Sequence, residues 1–284
     1  MITLGIALGM FIAAAFAGLL GSMLGLGGGI IIIPALTLLF HVDFRAAAAT
    51  SLLSVVATSA AGTMAYLRRG YTDIRLGLLL ELATVAGAIT GGFIAFSVSR
   101  SALQALFALL MLYTAFAMWR NLRSPKSDDD AVQEDETTRG FALHGTYFDP
   151  AIKREVTYRV QNFTWGMLGS AGAGIVSGLL GVGGGIIKVP IMRLKMKVPL
   201  KVASATSNYM IGITAATSVM LYFKQGHVDL PVTGICALGI LLGAMIGPRI
   251  AAKIDTTLLQ RFFVLILLFT AIQMIWRALS GGNG

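Results

Sequence analysis

Eight apolar runs, each close to the length that crosses a bilayer, constrain this chain more than any other feature. They cover residues 2–24, 46–67, 76–98, 101–119, 164–180, 202–223, 232–252 and 258–276. A membrane-spanning helix needs about 20 consecutive apolar residues. Two shorter runs, 28–40 and 185–192, cannot span alone and read as partial helices. None of these runs alternates polar and apolar residues, so a transmembrane β-barrel is excluded. Only 12% of the residues are charged, against about 25% in a soluble domain. The expected class is therefore an all-α polytopic membrane protein. The first run looks like a retained helix rather than a signal peptide, having no basic segment ahead of it.

A short motif occurs twice. Residues 25–34 read GLGGGIIIIP and residues 181–190 read GVGGGIIKVP. With that offset of 156 held fixed, about a third of the positions in 17–118 are identical in 173–274. The matches fall on informative residues. Gly27, Gly28 and Gly29 meet Gly183, Gly184 and Gly185; Pro34 meets Pro190; Thr50 and Ser51 meet Thr206 and Ser207; Asp73 meets Asp229. The chain is one unit used twice.

Loop charges give the relative orientation of the two units, because short cytoplasmic loops collect Lys and Arg. In the first unit the positive loops are 68–75 and 120–126; in the second they are 193–201 and 249–261. The Lys/Arg bias thus reverses between the halves, and equivalent loops face opposite sides. The expectation is two inverted repeats, each of about four full helices plus one short half-helix after a Gly-rich break. Both termini lie outside and the centre of the chain inside. The predicted domains are repeat 1 at 1–122, a cytoplasmic linker with a possible β-hairpin at 123–162, and repeat 2 at 163–279. The linker's first part is acidic, and two β-prone pieces, 142–148 and 155–161, flank Asp149-Pro150.

The net charge of +9 comes from loop Lys and Arg and marks topology rather than nucleic-acid binding. Cys236 lies alone in an apolar run, which rules out an intramolecular disulfide. The three histidines sit in predicted loops, and no catalytic or metal-ligating spacing stands out. An enzyme is not expected, nor any cofactor or metal.

Chemistry is expected at the glycine motifs. Each glycine costs a helix about 1 kcal/mol against Ala, and the following proline removes a further backbone bond. Broken backbone at membrane depth is tolerated where it is buried in protein or lines a cavity. The new half-helix points its positive end and free N–H groups into the gap, an arrangement suited to an anion. The competing reading is close helix packing through small residues. Thr50, Ser51, Thr206, Ser207 and Asn208 add hydroxyl and amide groups near the starts of long helices. They either complete an anion's shell or bond back to their own helices. Lys188 replaces Ile32 of the first motif, and an ionisable residue within a membrane run is by default a functional candidate. Snorkelling to the interface is its alternative. Glu81, in GLLLELAT, is a candidate proton-coupling carboxylate or a near-interface residue. The candidate binding residues are thus Gly27, Gly28, Gly29, Thr50, Ser51, Gly183, Gly184, Gly185, Lys188, Thr206, Ser207 and Asn208.

The pattern GLGGG-x4-P-x-L followed by ATSL or ATSN, repeated after a linker, resembles the TauE/SafE family of membrane permeases. The resemblance covers nearly all the chain except the linker. It implies a secondary transporter of small sulfur-containing anions such as sulfite or organosulfonates, often an exporter in a bacterial inner membrane. The partners it implies are a small anionic substrate and the lipid bilayer, with no nucleic acid. The oligomeric state stays open, a homodimer included. Two alternatives remain at this stage: a passive anion channel on the same scaffold, and a non-transporting membrane sensor or scaffold.

Overall fold

A computed structural model describes residues 3–24, 27–123, 143–149, 154–251 and 256–279. Gly25 and Leu26 of the first motif, most of the acidic linker and the linker's Pro150 lie outside the described residues. The helices are α1 (Leu4–Leu24), α2 (Gly29–Pro34), α3 (Phe44–Arg68), α4 (Ile74–Ser97), α5 (Arg100–Arg123), α6 (Phe163–Leu180), α7 (Gly185–Leu194), α8 (Leu200–Lys224), α9 (Leu230–Ala251) and α10 (Thr256–Leu279). A π-helical turn, Ala35–Leu39, continues α2 beyond Pro34. Between α5 and α6 stands an antiparallel hairpin of β1 (His144–Asp149) and β2 (Arg154–Arg159), with His144 opposite Arg159.

Among the described residues, seven helices are long and apolar enough to cross a bilayer. The 25-residue α8 is the eighth long helix but is more polar. Its hydroxyl and amide residues, Ser204, Thr206, Ser207, Asn208, Thr214, Thr217 and Ser218, lower its hydropathy without shortening it. α2 and α7 are the two short pieces.

The packing is reciprocal between the two halves. α1 lies along α9, and α6 lies along α4; α3 crosses α8, and α5 pairs with α10. Each repeat thus packs its first helix against the other repeat. Glycines make the close approach possible. Gly174 and Gly178 of α6 face the backbone carbonyls of Thr84 and Ala88 on α4, and Gly18 of α1 faces Ile240 on α9. In lipid, where no hydrophobic drive separates helix from helix, small residues of this kind set the interface.

Capping fixes the helix starts. Asp43 Oδ1 accepts from the Arg45 amide at 2.9 Å, Asp73 Oδ1 from Leu76 at 2.9 Å and Asp229 Oδ1 from Val232 at 3.1 Å. At one end of the bundle the hairpin meets the loop before α4 and the turn after α7. Tyr71 and Tyr147 contact edge to face, and the Gln161 amide donates to Met196 O. A buried apolar cluster of Leu76, Leu80, Tyr147, Val156, Tyr158, Met192 and Met196 fills that junction. At the other end Arg45 donates to the carbonyls of Ala95, Phe96 and Val98, closing the C-terminus of α4. His227 stacks there on Phe96. Burial and the Arg45 guanidinium hold its imidazole below the usual histidine range.

Candidate functional site

The two motifs adopt the same backbone. Gly27 and Gly28 have φ of 72° and 78°, and Gly183 and Gly184 have φ of 75° and 77°. Two consecutive left-handed residues are open to glycine and costly to any residue with a Cβ. The chain thereby reverses after α1 and after α6, and a new helix starts at once. Gly28 O accepts from the Ile31 and Ile32 amides, and Gly184 O from those of Ile187 and Lys188. The first-turn amides of Gly29, Ile30, Gly185 and Ile186 therefore have no helical acceptor behind them.

The breaks come together in the middle of the fold. Val55 of α3 packs against both Gly27 and Gly183, and Ile211 of α8 packs over Gly183 and Gly185. These two residues are themselves equivalent under the 156-residue offset. Gly27 is half-buried, and Gly28, Gly29, Gly183, Gly184 and Gly185 are buried.

Ser51 and Ser207 flank the breaks but differ in their bonds. Ser51 Oγ donates to Gly181 O at 2.7 Å, tying α3 to the end of α6. Ser207, 1% exposed beside Gly185, has no hydrogen-bond partner for its Oγ. Thr50 and Thr206 face the other repeat. Thr50 Oγ1 lies 3.0 Å from Thr233 Oγ1 on α9, and Thr206 Oγ1 accepts from the Asp73 amide at 2.9 Å. Asn208 binds across the α3–α8 crossing, donating to Ser59 O and accepting from the Ser59 hydroxyl through its own backbone carbonyl. The structure thus gathers the glycines, Ser51 and Ser207, while Thr50, Thr206 and Asn208 serve contacts between repeats.

Lys188 is 2% exposed and does not reach an interface. Its Nζ donates to Thr214 Oγ1 at 2.9 Å and lies 3.5 Å from Glu81 Oε2. The Thr214 hydroxyl donates to Glu81 Oε1 at 2.6 Å. Glu81, 4% exposed, comes from α4 of repeat 1, whereas Lys188 and Thr214 come from repeat 2. The two ionisable groups read separately in the sequence are one buried ion pair. Thr214, which bridges them, was not singled out in the sequence. The signals for it were two: it follows Ser207 by two helical turns on one face, and it matches Thr58 in the first repeat.

Away from this centre, a cavity of about 150 Å3 is lined by His41, Asp43, Arg100, Gln104 and Arg277. It lies by the end of the π-helical turn, where Arg277 donates to Thr37 O. Among the described residues, no group of His, Cys, Asp or Glu is placed to hold a metal.

A bundle of membrane-length helices, interrupted by two facing glycine breaks and carrying a buried ion pair beside one of them, defines a polytopic membrane transporter. The matching family is described as "Sulfite exporter TauE/SafE" and aligns over residues 10–274. The chain belongs to that family. It is 29% identical over 258 residues to the "Probable membrane transporter protein YunE" of Bacillus subtilis (strain 168), covering 88% of this chain and 89% of that one. It is 28% identical over 267 residues to a "Probable membrane transporter protein" of Xylella fastidiosa (strain 9a5c), covering 92% and 93%. No solved structure matches it. Family and relatives are described as membrane transporters rather than enzymes, which makes the chain a membrane transporter with a small-molecule substrate.

Proposed function

We propose that the protein is a secondary transporter that exports small sulfur-containing anions, sulfite or an organosulfonate, across a bacterial inner membrane. The two halves are inverted repeats with both termini outside and the linker in the cytoplasm. Loop charges support this orientation, as does the position of equivalent loops: that before α4 lies beside the hairpin, while that before α9 lies beside Phe96 and Arg45. Inverted-repeat transporters bind substrate near the midplane on interrupted helices and work by alternating access.

One observation carries the reading. The two breaks meet at Val55, with Ile211 over the second and the unpaired Ser207 hydroxyl beside the N-terminus of α7. Helix amides, a free donor and Lys188 make a centre that favours negative charge. The glycines of both motifs with Ser51, Ser207 and Lys188 form the binding set. Thr50, Thr206 and Asn208 hold the repeats in register around it, and Glu81 is the coupling carboxylate. The substrate class named by the family suits such a centre.

Purified protein in liposomes tests this. Sulfite or ethanesulfonate flux should saturate and should accelerate when the same anion is present on the far side. Saturable flux without that acceleration assigns a channel. No flux of any sulfur oxyanion under any gradient removes the reading.

A further inference from the structure

The duplication supplies an internal control for the buried ion pair. Under the 156-residue offset, Lys188 corresponds to Ile32, Glu81 to Ala237 and Thr214 to Thr58. The positions that carry Lys, Glu and Thr in this contact therefore carry Ile, Ala and Thr at their equivalents in the duplication. The fold forms without the charges at those equivalents, where Ile32 is fully buried. Burying a carboxylate and an ammonium carries a large desolvation penalty for each ion before their attraction is counted. A pair retained at that cost, where the same architecture also accepts apolar residues, points to a role other than packing.

The pair is also loosely made. A charge-assisted N–H···O contact closes to roughly 2.7–2.9 Å, yet Nζ and Oε2 stand 3.5 Å apart, and Oε2 has no hydrogen-bond partner. Lys188 has three N–H groups, and Thr214 occupies one of them. Lys188 stands one turn past Gly184, on the same α7 whose first residue, Gly185, adjoins the unpaired Ser207. The Lys188 backbone is thus within one turn of the glycine break, and its ammonium is held by Thr214 and Glu81.

Among the described residues, the charged neighbours of Glu81 and Lys188 are each other. α6, which packs along α4, contains no ionisable residue between Phe163 and Leu180. On α8, Lys201 and Lys224 are near the helix ends and Tyr209 faces Gly77. On α4 itself, Arg75 lies in the first turn, and the capping Asp73 is bonded to Leu76 and Tyr158. Tyr222 of α8 donates to Gly178 O and Leu179 O. On α7, Arg193 sits in the last turn.

We propose that Glu81 is a tethered counter-anion of Lys188, and that the substrate anion takes its place only when the Glu81 carboxylate takes up a proton. This deepens the anion-transport reading and rests on it. The charges balance. The empty centre holds one ammonium and one carboxylate. The loaded centre holds one ammonium, one neutral carboxyl and one monoanion. Both states are neutral, so neither the empty nor the loaded carrier has to move net charge through hydrocarbon. The consequence is electroneutral cotransport of one proton with each monoanion, a sulfonate or hydrogen sulfite.

Calorimetric titration of the purified full chain with ethanesulfonate and with sulfite, in buffers of different ionisation enthalpy, counts the protons. Wild type should take up one proton per ethanesulfonate, with affinity falling about tenfold per pH unit once Glu81 is ionised. Glu81→Gln, which mimics the protonated carboxyl, should bind with no proton uptake and no pH dependence. The double variant Glu81→Ala/Lys188→Ile installs the residues found at the equivalent positions. It should fold and melt like wild type yet bind the anion at least about tenfold more weakly. Wild-type binding without proton uptake, a glutamine variant that keeps its pH dependence, or a double variant with wild-type affinity each overturns the proposal. Should the glutamine variant fail to fold, the double variant and the wild-type proton count still decide. Binding of neither anion to wild type overturns the anion-site reading itself, which separates the two failures.

Discussion

The Tyr158 hydroxyl, on the linker hairpin, donates to Asp73 Oδ2 at 2.7 Å, and Asp73 in turn caps α4 and gives its own amide proton to Thr206. A single aspartate thus joins the hairpin, repeat 1 and repeat 2. Burial and the Asp73 carboxylate push the Tyr158 phenol well above its usual range. Because the folded value is raised, this contact contributes fully below the ordinary phenol pKa of about 10 and is lost as pH climbs through the higher folded value. Tyr158→Phe should weaken hairpin docking by roughly 1.5–3 kcal/mol, the range of a hydrogen bond to a charged group. Amide exchange of residues 154–160 reads it. Protection in wild type should fall at strongly alkaline pH, while the Phe variant starts low and shows no such step.

Ser51 and Ser207 allow a matched comparison. Removing the Ser51 hydroxyl leaves the buried Gly181 carbonyl without its donor, a loss of about 1–3 kcal/mol. Ser207 has no partner to orphan. Ser51→Ala should therefore lower resistance to denaturant, and Ser207→Ala should leave it unchanged while weakening sulfite binding. Equal destabilisation of both would contradict the bonding pattern.

Much of this architecture is legible in the sequence for a physical reason. A backbone with two consecutive left-handed residues needs glycine, so Gly27-Gly28 and Gly183-Gly184 stay visible amid otherwise interchangeable apolar residues. The exchange of α1 and α6 between repeats is not legible. Helices surrounded by lipid and other helices need no apolar stripe, so nothing in α1 says that α9 is its neighbour. The bonds of Thr50 and Thr206 were hidden for the same reason, since a hydroxyl in a helix reads alike whether it faces a site or a neighbouring helix. The pairing of Glu81 with Lys188 left a trace that is clear in hindsight. Each departs from its counterpart, Ala237 and Ile32, at a matching place in the duplication.

Left-handed glycines separate backbone cost from crowding. Gly70 has φ of 70° with open space around it, whereas a Cβ on Gly184 comes within 2.8 Å of Ala173 O. Gly70→Ala should cost about 1–2 kcal/mol for its conformation alone. Gly184→Ala carries that cost plus about 1–3 kcal/mol of overpacking. Chemical unfolding in detergent should rank the two in that order, with the gap measuring how far α6 yields.

Thr58 and Thr214 are equivalent residues with unequal duties. Thr58 donates within its own half, to Val55 O at 3.1 Å. Thr214 joins a cation and a carboxylate contributed by different repeats. Valine matches threonine in shape but offers no hydroxyl. Thr58→Val should cost about 1 kcal/mol, an ordinary intrahelical bond. Thr214→Val strips one partner from each of two buried charges, and breaking a buried ionic network costs about 3–5 kcal/mol. A pH scan of the melting temperature distinguishes the two further. The Thr58 variant should track wild type. The Thr214 variant should recover part of its lost stability at low pH, where protonation of Glu81 removes an unsatisfied charge. A Thr214 variant that melts like the Thr58 variant at every pH would show that the hydroxyl bridge does not hold the pair together.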